Sequence, residues 1–122
     1  MGLFSATPPP RATAPYRATL FDVNETLLDM SPLKQAVGKA FGQPEAFRQW
    51  FELLLQYSLV DTVSGQYHDF GIIAEAALDM TANMLGQQCL NPTARRRIIA
   101  LLKELPPHKD VPKGLAMLQD AG

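Results

Sequence analysis

The sequence holds one cysteine, Cys89, in 122 residues, which excludes an internal disulfide framework and fits a reducing cytoplasm. No histidine lies beside Cys89 at ligand spacing, so a buried or neutral thiol is expected there. Histidine is equally scarce: His68 and His108 are far apart, and each reads as a surface or loop residue. No His/Cys/Asp cluster has metal spacing, so neither a metal nor another cofactor is expected. Neither sign of charge is in excess. Eleven basic residues meet 12 acidic ones, a net charge of −1 that leaves no electrostatic footprint for nucleic acid or an anionic membrane. No apolar run approaches a membrane span, and no apolar core follows a basic start as in a signal peptide. Met1-Gly2 invites myristoylation, but Ala6 stands where Ser or Thr is required. Glycine-rich phosphate loops and internal repeats are absent. What is present, 47% apolar and 19% charged residues, is the composition of an ordinary globular domain with a modest core.

Along the chain, residues 1–16 are rich in Pro, Ala and Thr and read as a disordered or extended tail. Residues 18–23 read as an apolar strand, and Asn24 to Met30 as the turn that leaves it. Ser31-Pro32 supplies an N-cap and a first-turn proline for a helix to about Phe41, ended by Gly42. Pro44 opens a second helix to about Val63, with Phe47, Trp50, Phe51, Leu54 and Ser58 at helical spacing. Ser64-Gly65 breaks it, and a third helix spans about Tyr67 to Leu85 with Phe70, Ile73, Ala74, Ala77, Leu78, Thr81, Met84 and Leu85 in one stripe. These two long helices joined by a short turn read as an antiparallel hairpin at the centre of a bundle. Asn91-Pro92 starts a fourth helix to about Leu105, with Ile98, Ile99, Leu102 and Leu105 inward. Within it Arg95-Arg96-Arg97 is basic, and Arg96 or Arg97 is placed to pair with an acid. Pro106-Pro107 stiffens a return segment, and Asp110 caps a last helix. The expected fold class is therefore mostly α. It divides into a tail at 1–16, a strand and turn at 17–30, a helical bundle at 31–105, and a return segment and helix at 106–122.

The chemistry-bearing feature is Asp22, delivered by the apolar strand to its C-terminal tip. In open α/β sheets that tip is where ligands bind, and buried carboxylates are rare unless paired or working. The plainer reading is an aspartate that caps the turn after a strand.

Phe21-Asp22-Val23-Asn24-Glu25-Thr26-Leu27 resembles motif I of the haloacid dehalogenase (HAD) superfamily, an apolar strand followed by D-x-x-x-T-L. Gln56-Tyr57, Gly65-Gln66-Tyr67-His68-Asp69-Phe70, Ala76-Ala77-Leu78 and Leu85-Gly86 resemble the type II branch, the 2-haloacid dehalogenases. The resemblance runs over about residues 17–122. It implies the first strand of a Rossmann-type α/β core followed by a helical cap. Enzymes of this kind are longer and carry a Ser or Thr, a Lys and an acidic or polar pair on later strands. This chain stops at Gly122, so the resemblance implies the N-terminal half.

By resemblance Asp22 is the nucleophile and Thr26 holds its carboxylate or the turn. Asn24, Arg48 and Phe51, with the apolar walls Leu55 and Phe70, bind substrate. HAD phosphatases carry a second Asp two residues after the first as general acid, together with Mg²⁺. Asn24 stands there and cannot donate a proton in that way, whereas halide leaves unprotonated and needs no metal. Two departures stand out. The family's Tyr-Gly is Asn24-Glu25 here, and its substrate-binding cap arginine aligns with Phe51, with Arg48 one turn back.

The reading that follows is a hydrolase of 2-haloacids working through an aspartyl ester, truncated and of weak or no activity alone. The alternatives are a catalytically inactive, self-associating helical module and a HAD-type phosphatase. The unpaired strand and the apolar faces around Phe47, Trp50, Phe51, Leu54, Leu55 and Phe70 predict a homodimer. The expected partners are thus a small-molecule 2-haloacid and a second copy, with no nucleic acid and no membrane, in the cytoplasm.

Overall fold

The computed structural model describes residues 18–121. The expected tail at 1–16 lies outside the described residues. Five helices follow one another: α1 (Ser31–Phe41), α2 (Ala46–Val63), α3 (Phe70–Met84), α4 (Pro92–Lys103) and α5 (Val111–Asp120). Each expected helix is present, with ends that coincide or are displaced by up to three residues, for reasons that lie in the caps. Asp69 accepts from the Gly71 amide at 2.8 Å, so α3 starts at Phe70 rather than Tyr67. Gly71 leaves room for this: a Cβ there would lie 2.9 Å from Asp69 Oδ1. Asn91 caps α4 as expected, its side chain accepting from the Ala94 amide at 2.8 Å. Ser31 is already helical rather than an N-cap, and the acceptor for its amide is Asp29 Oδ1 at 2.9 Å. Asp110 does not cap α5: its own backbone is helical, which turns its side chain away from the first amides. Gly42 ends α1 at φ 68°, a left-handed conformation that suits glycine.

The core is assembled from one stripe of each of the first four helices. Met30, Leu33, Val37 and Phe41 meet Ala46, Trp50 and Leu54, with Ala74, Ala77, Leu78 and Ala82 of α3 and Ile98 and Ile99 of α4. Such large side chains contribute roughly 1.5–3 kcal/mol each on burial. Trp50 is wholly buried, and its Nε1–H donates to the Ala74 carbonyl at 3.0 Å, so the indole keeps a polar partner inside the core. The small residues Ala74 and Ala77 let α2 and α3 approach closely. Thr81, buried as well, donates to the Ala77 carbonyl at 2.8 Å.

Several expectations change here. The apolar run at 18–23 is not a paired strand, and Leu20, Phe21 and Val23 are exposed. A strand exists through its ladder, and the described residues supply no neighbour for one at these positions. Pairing occurs further on, where Leu28 bridges to Pro107. Trp50 and Leu54 do not belong to an exposed face: both are buried within one chain, and Phe47 and Phe51 are half-buried against the same core. Phe70 and Met84 in turn leave the expected inner stripe of α3 for the surface. Helix α5 buries no residue, with Leu115 and Leu118 exposed. Cys89 is exposed rather than buried. Arg95, not Arg96 or Arg97, makes the acidic pair, gripping Asp79 at 2.5 and 3.1 Å. Among the described residues, no helix is long and apolar enough to cross a membrane.

Candidate functional site

The Asp22 turn is built by backbone hydrogen bonds. The Val23 carbonyl accepts from Leu27 N at 2.9 Å and Leu28 N at 3.0 Å, and Glu25 N donates to the Leu28 carbonyl at 3.1 Å. This loop carries the chain back so that Thr26 lies beside Asp22, and the Thr26 hydroxyl donates to Asp22 Oδ2 at 2.7 Å. The pairing of carboxylate and hydroxyl that the motif implied is therefore present. One oxygen of Asp22 is engaged, and Oδ1 has no such partner among the described residues. The surroundings differ from a buried site, because Asp22 and Thr26 are both exposed. Asn24 is half-buried and bridges to Leu28 within the turn.

The return segment fastens this turn. Asp29 N donates to the Pro106 carbonyl at 2.8 Å, and His108 N donates to the Leu27 carbonyl at 3.0 Å. Glu25 holds it from the other side. Its carboxylate pairs with Lys34 on α1 and accepts from the Met30 amide at 3.3 Å, and His108 Nε2 lies 4.0 Å away. The Lys34 hydrogen bond is the main cause holding the Glu25 carboxyl below its ordinary range; the Met30 amide adds to it. The Ser31 hydroxyl and amide lower Asp29 in the same way.

The expected substrate residues on the cap are placed as follows. Arg48, Phe51 and Leu55 share one side of α2 by helical spacing. Arg48 is exposed and lies 3.8 Å from Glu52. Phe51 stacks on Phe47 with ring centroids 5.5 Å apart and rings nearly parallel, at 11°. Leu55 is 44% and Phe70 39% exposed, so each offers apolar surface. Two hollows lie elsewhere. One of about 430 Å³ sits between α2 and α3, lined by Tyr57, Val60, His68 and Ile72 among others. The other, about 810 Å³, lies between α1 and α4 and includes Lys39, Ala94, Arg97 and Ile98. Neither is lined by Asp22 or by these cap residues.

Sequence reasoning missed two polar features. Asp61 and His68 join across the α2–α3 turn, with backbone and ring contacts each at 2.7 Å; the ring hydrogen bond is the main cause lowering the Asp61 carboxyl. His68 is thus a loop residue but not an isolated one. In the sequence Glu25 reads only as a departure from motif I. A signal was present, because it replaces a family glycine and so marks a position able to take positive φ. Among the described residues no group of His, Cys, Asp and Glu is arranged to hold a metal ion.

No family model matches the chain. Curated relatives do. It is 34% identical over 110 residues to (S)-2-haloacid dehalogenase H-109 of Pseudomonas putida, covering 88% of this chain and 49% of that one. It is 32% identical over 111 residues to (S)-2-haloacid dehalogenase 1 of Pseudomonas sp. (strain CBS-3), covering 88% and 48%. The chain thus spans about half the length of the curated relatives it matches. Among solved structures, the L-2-haloacid dehalogenase of Xanthobacter autotrophicus superposes with a TM-score of 0.65 at 26% identity, over 76% of this chain and 38% of that one. The same protein with chloropropionic acid covalently bound gives the same values. A further dehalogenase superposes with a TM-score of 0.61, over 79% of this chain and 43% of that one. By sequence and by fold, this chain is related to the 2-haloacid dehalogenases of the HAD superfamily and is consistent with the N-terminal half of such a protein.

Proposed function

We propose that this chain carries the nucleophile and the cap of a hydrolase acting on 2-haloacids. The observation that carries the reading is the hydrogen bond of 2.7 Å from Thr26 to Asp22 Oδ2, inside a turn that matches motif I. It fixes one carboxylate oxygen and leaves Oδ1 to attack. In this scheme Asp22 Oδ1 forms a bond to C2 of the substrate as the carbon–halogen bond breaks, and halide leaves with the electron pair. Water then adds to the ester carbonyl of Asp22 and releases a proton. The 2-hydroxyacid departs, and the Asp22 carboxylate is restored. Asn24 and Arg48 meet the polar end of the substrate, while Phe51, Leu55 and Phe70 wall its apolar side. The protein works in the cytoplasm, in keeping with a single unpaired thiol.

Chloride release from L-2-chloropropionate tests the reading. The parent chain releases little or no chloride alone and releases it after mixing with the C-terminal half of a relative. Asp22→Asn, which keeps the shape and removes the anionic nucleophile, releases none. An Asp22→Asn chain as active as its parent refutes the assignment.

A homodimer is the proposed assembly. Its apolar surface is not the Trp50 stripe, which is buried, but the far end of the α2–α3 hairpin. Leu59, Val60, Val63, Tyr67 and Ile72 are each more than half exposed there. Such a cluster exceeds isolated surface hydrophobes and suits a two-fold interface. Light scattering gives a dimer mass for the parent and a monomer mass for Val63→Glu; a monomeric parent with a cooperative melt refutes it.

A further inference from the structure

Glu25 stands at φ 61°, and among the described residues it is the single non-glycine with positive φ. A side chain there is disfavoured, because its Cβ crowds the backbone in the left-handed region. Such a conformation persists only where its surroundings over-determine it. They do so here. One carboxylate oxygen pairs with Lys34 of α1. The other accepts from the Met30 amide at 3.3 Å, with His108 Nε2 of the return segment 4.0 Å from it. His108 Nε2 is buried and, among the described residues, has no hydrogen-bond partner; the Glu25 carboxylate lies 4.0 Å from it. Glu25 therefore touches both segments that flank the turn, and its own amide helps to close the turn by donating to Leu28.

We infer that Glu25 is the positioning residue of the Asp22 site: anchored to Lys34 and Met30, its side chain holds the left-handed backbone that brings Thr26 beneath the Asp22 carboxylate. A glycine would adopt this backbone without strain but also without an anchor. Glu25 replaces that conformational freedom with a tether to α1, so the turn is set by the cap's first helix rather than by the turn alone. The anchor stands on geometry within this chain. Only its catalytic consequence rests on the dehalogenase reading.

Amide hydrogen exchange of the full chain tests the inference, because Leu27 N and Leu28 N report the turn directly. In Glu25→Gln and in Lys34→Met their exchange is expected to rise about tenfold, the scale of one ordinary hydrogen bond. Core amides of α2 and α3 keep their parental protection, which separates a local release from global unfolding. Glu25→Gly also speeds exchange at Leu27 and Leu28, although it removes the disfavoured backbone. The double variant Glu25→Lys with Lys34→Glu restores part of the protection, since it rebuilds the ion pair with the charges exchanged while the Met30 amide loses its acceptor. Unchanged exchange in both single variants overturns the inference. So does a Glu25→Gly chain as protected as the parent, which would mean that the turn holds itself. Where chloride release is measurable, Glu25→Gln lowers kcat with KM little changed. Absence of chloride release even after mixing the parent with the C-terminal half of a relative counts against the dehalogenase reading and leaves the exchange result to decide the role of Glu25.

Discussion

Trp50 offers the sharpest test of how this bundle is held. Truncation to alanine removes the largest wholly buried side chain and leaves a cavity between α2 and α3. Large aromatic truncations of this kind cost about 3–5 kcal/mol. That is a large share of the roughly 5–15 kcal/mol available to a domain. Trp50→Phe separates the contributions. It keeps most of the apolar contact but removes the N–H that donates to the Ala74 carbonyl. That carbonyl lies inside α3 and keeps its place in the helix ladder, so it is not orphaned. The lost bond is then worth about 0.5–1.5 kcal/mol, and the smaller ring adds about as much again. Urea denaturation followed by far-UV circular dichroism measures both variants without relying on tryptophan fluorescence, which the substitutions abolish. The parent emission should be blue-shifted, as for an indole away from water. A Trp50→Ala penalty below about 1 kcal/mol refutes the placement of Trp50 at the centre of the core. The same placement means that Trp50→Glu abolishes folding rather than dissociating a dimer, because a charge there is buried without a partner.

The helix starts respond more locally. Asn91→Ala removes the acceptor for the Ala94 amide and should cost about 1 kcal/mol in the same denaturation assay. Gly71→Ala places a Cβ 2.9 Å from Asp69 Oδ1 and should cost a similar amount, about 1 kcal/mol, by displacing that cap. Acid should destabilise the fold through Glu25, Asp29 and Asp61, whose carboxyls are lowered by Lys34, Ser31 and His68 respectively. Groups lowered in the folded state add stability that is present above their ordinary range, from about pH 4 upward, and lost as pH falls through the lowered folded values. Glu25 is exposed and Asp29 and Asp61 are partly so, which screens these interactions and keeps the effect small. Thermal melts across that window check it, and a parent chain whose melting temperature rises on acidification contradicts the sign.

The sequence by itself determined the helices. Apolar residues at helical spacing, Pro32 and Pro92 in first turns, Gly42 after α1 and Asn91 before α4 are local signals, and local hydrogen bonds and sterics satisfy them. Motif I was legible for the same reason, since the Asp22–Thr26 contact spans four residues. Tertiary structure decided what local patterns cannot carry. It placed Trp50 inside one chain rather than on an exposed face, because burial depends on which helix arrives opposite, and α3 presents alanines there. It left residues 18–23 unpaired, because a strand's hydrogen bonds come from a neighbour rather than from its own sequence. It also brought Lys34 of α1 onto the Glu25 carboxylate and set His108 of the return segment 4.0 Å from it, groups 9 and 83 positions away along the chain. Sequence spacing carries no record of such an approach, which is set by the packing of the bundle that the turn enters.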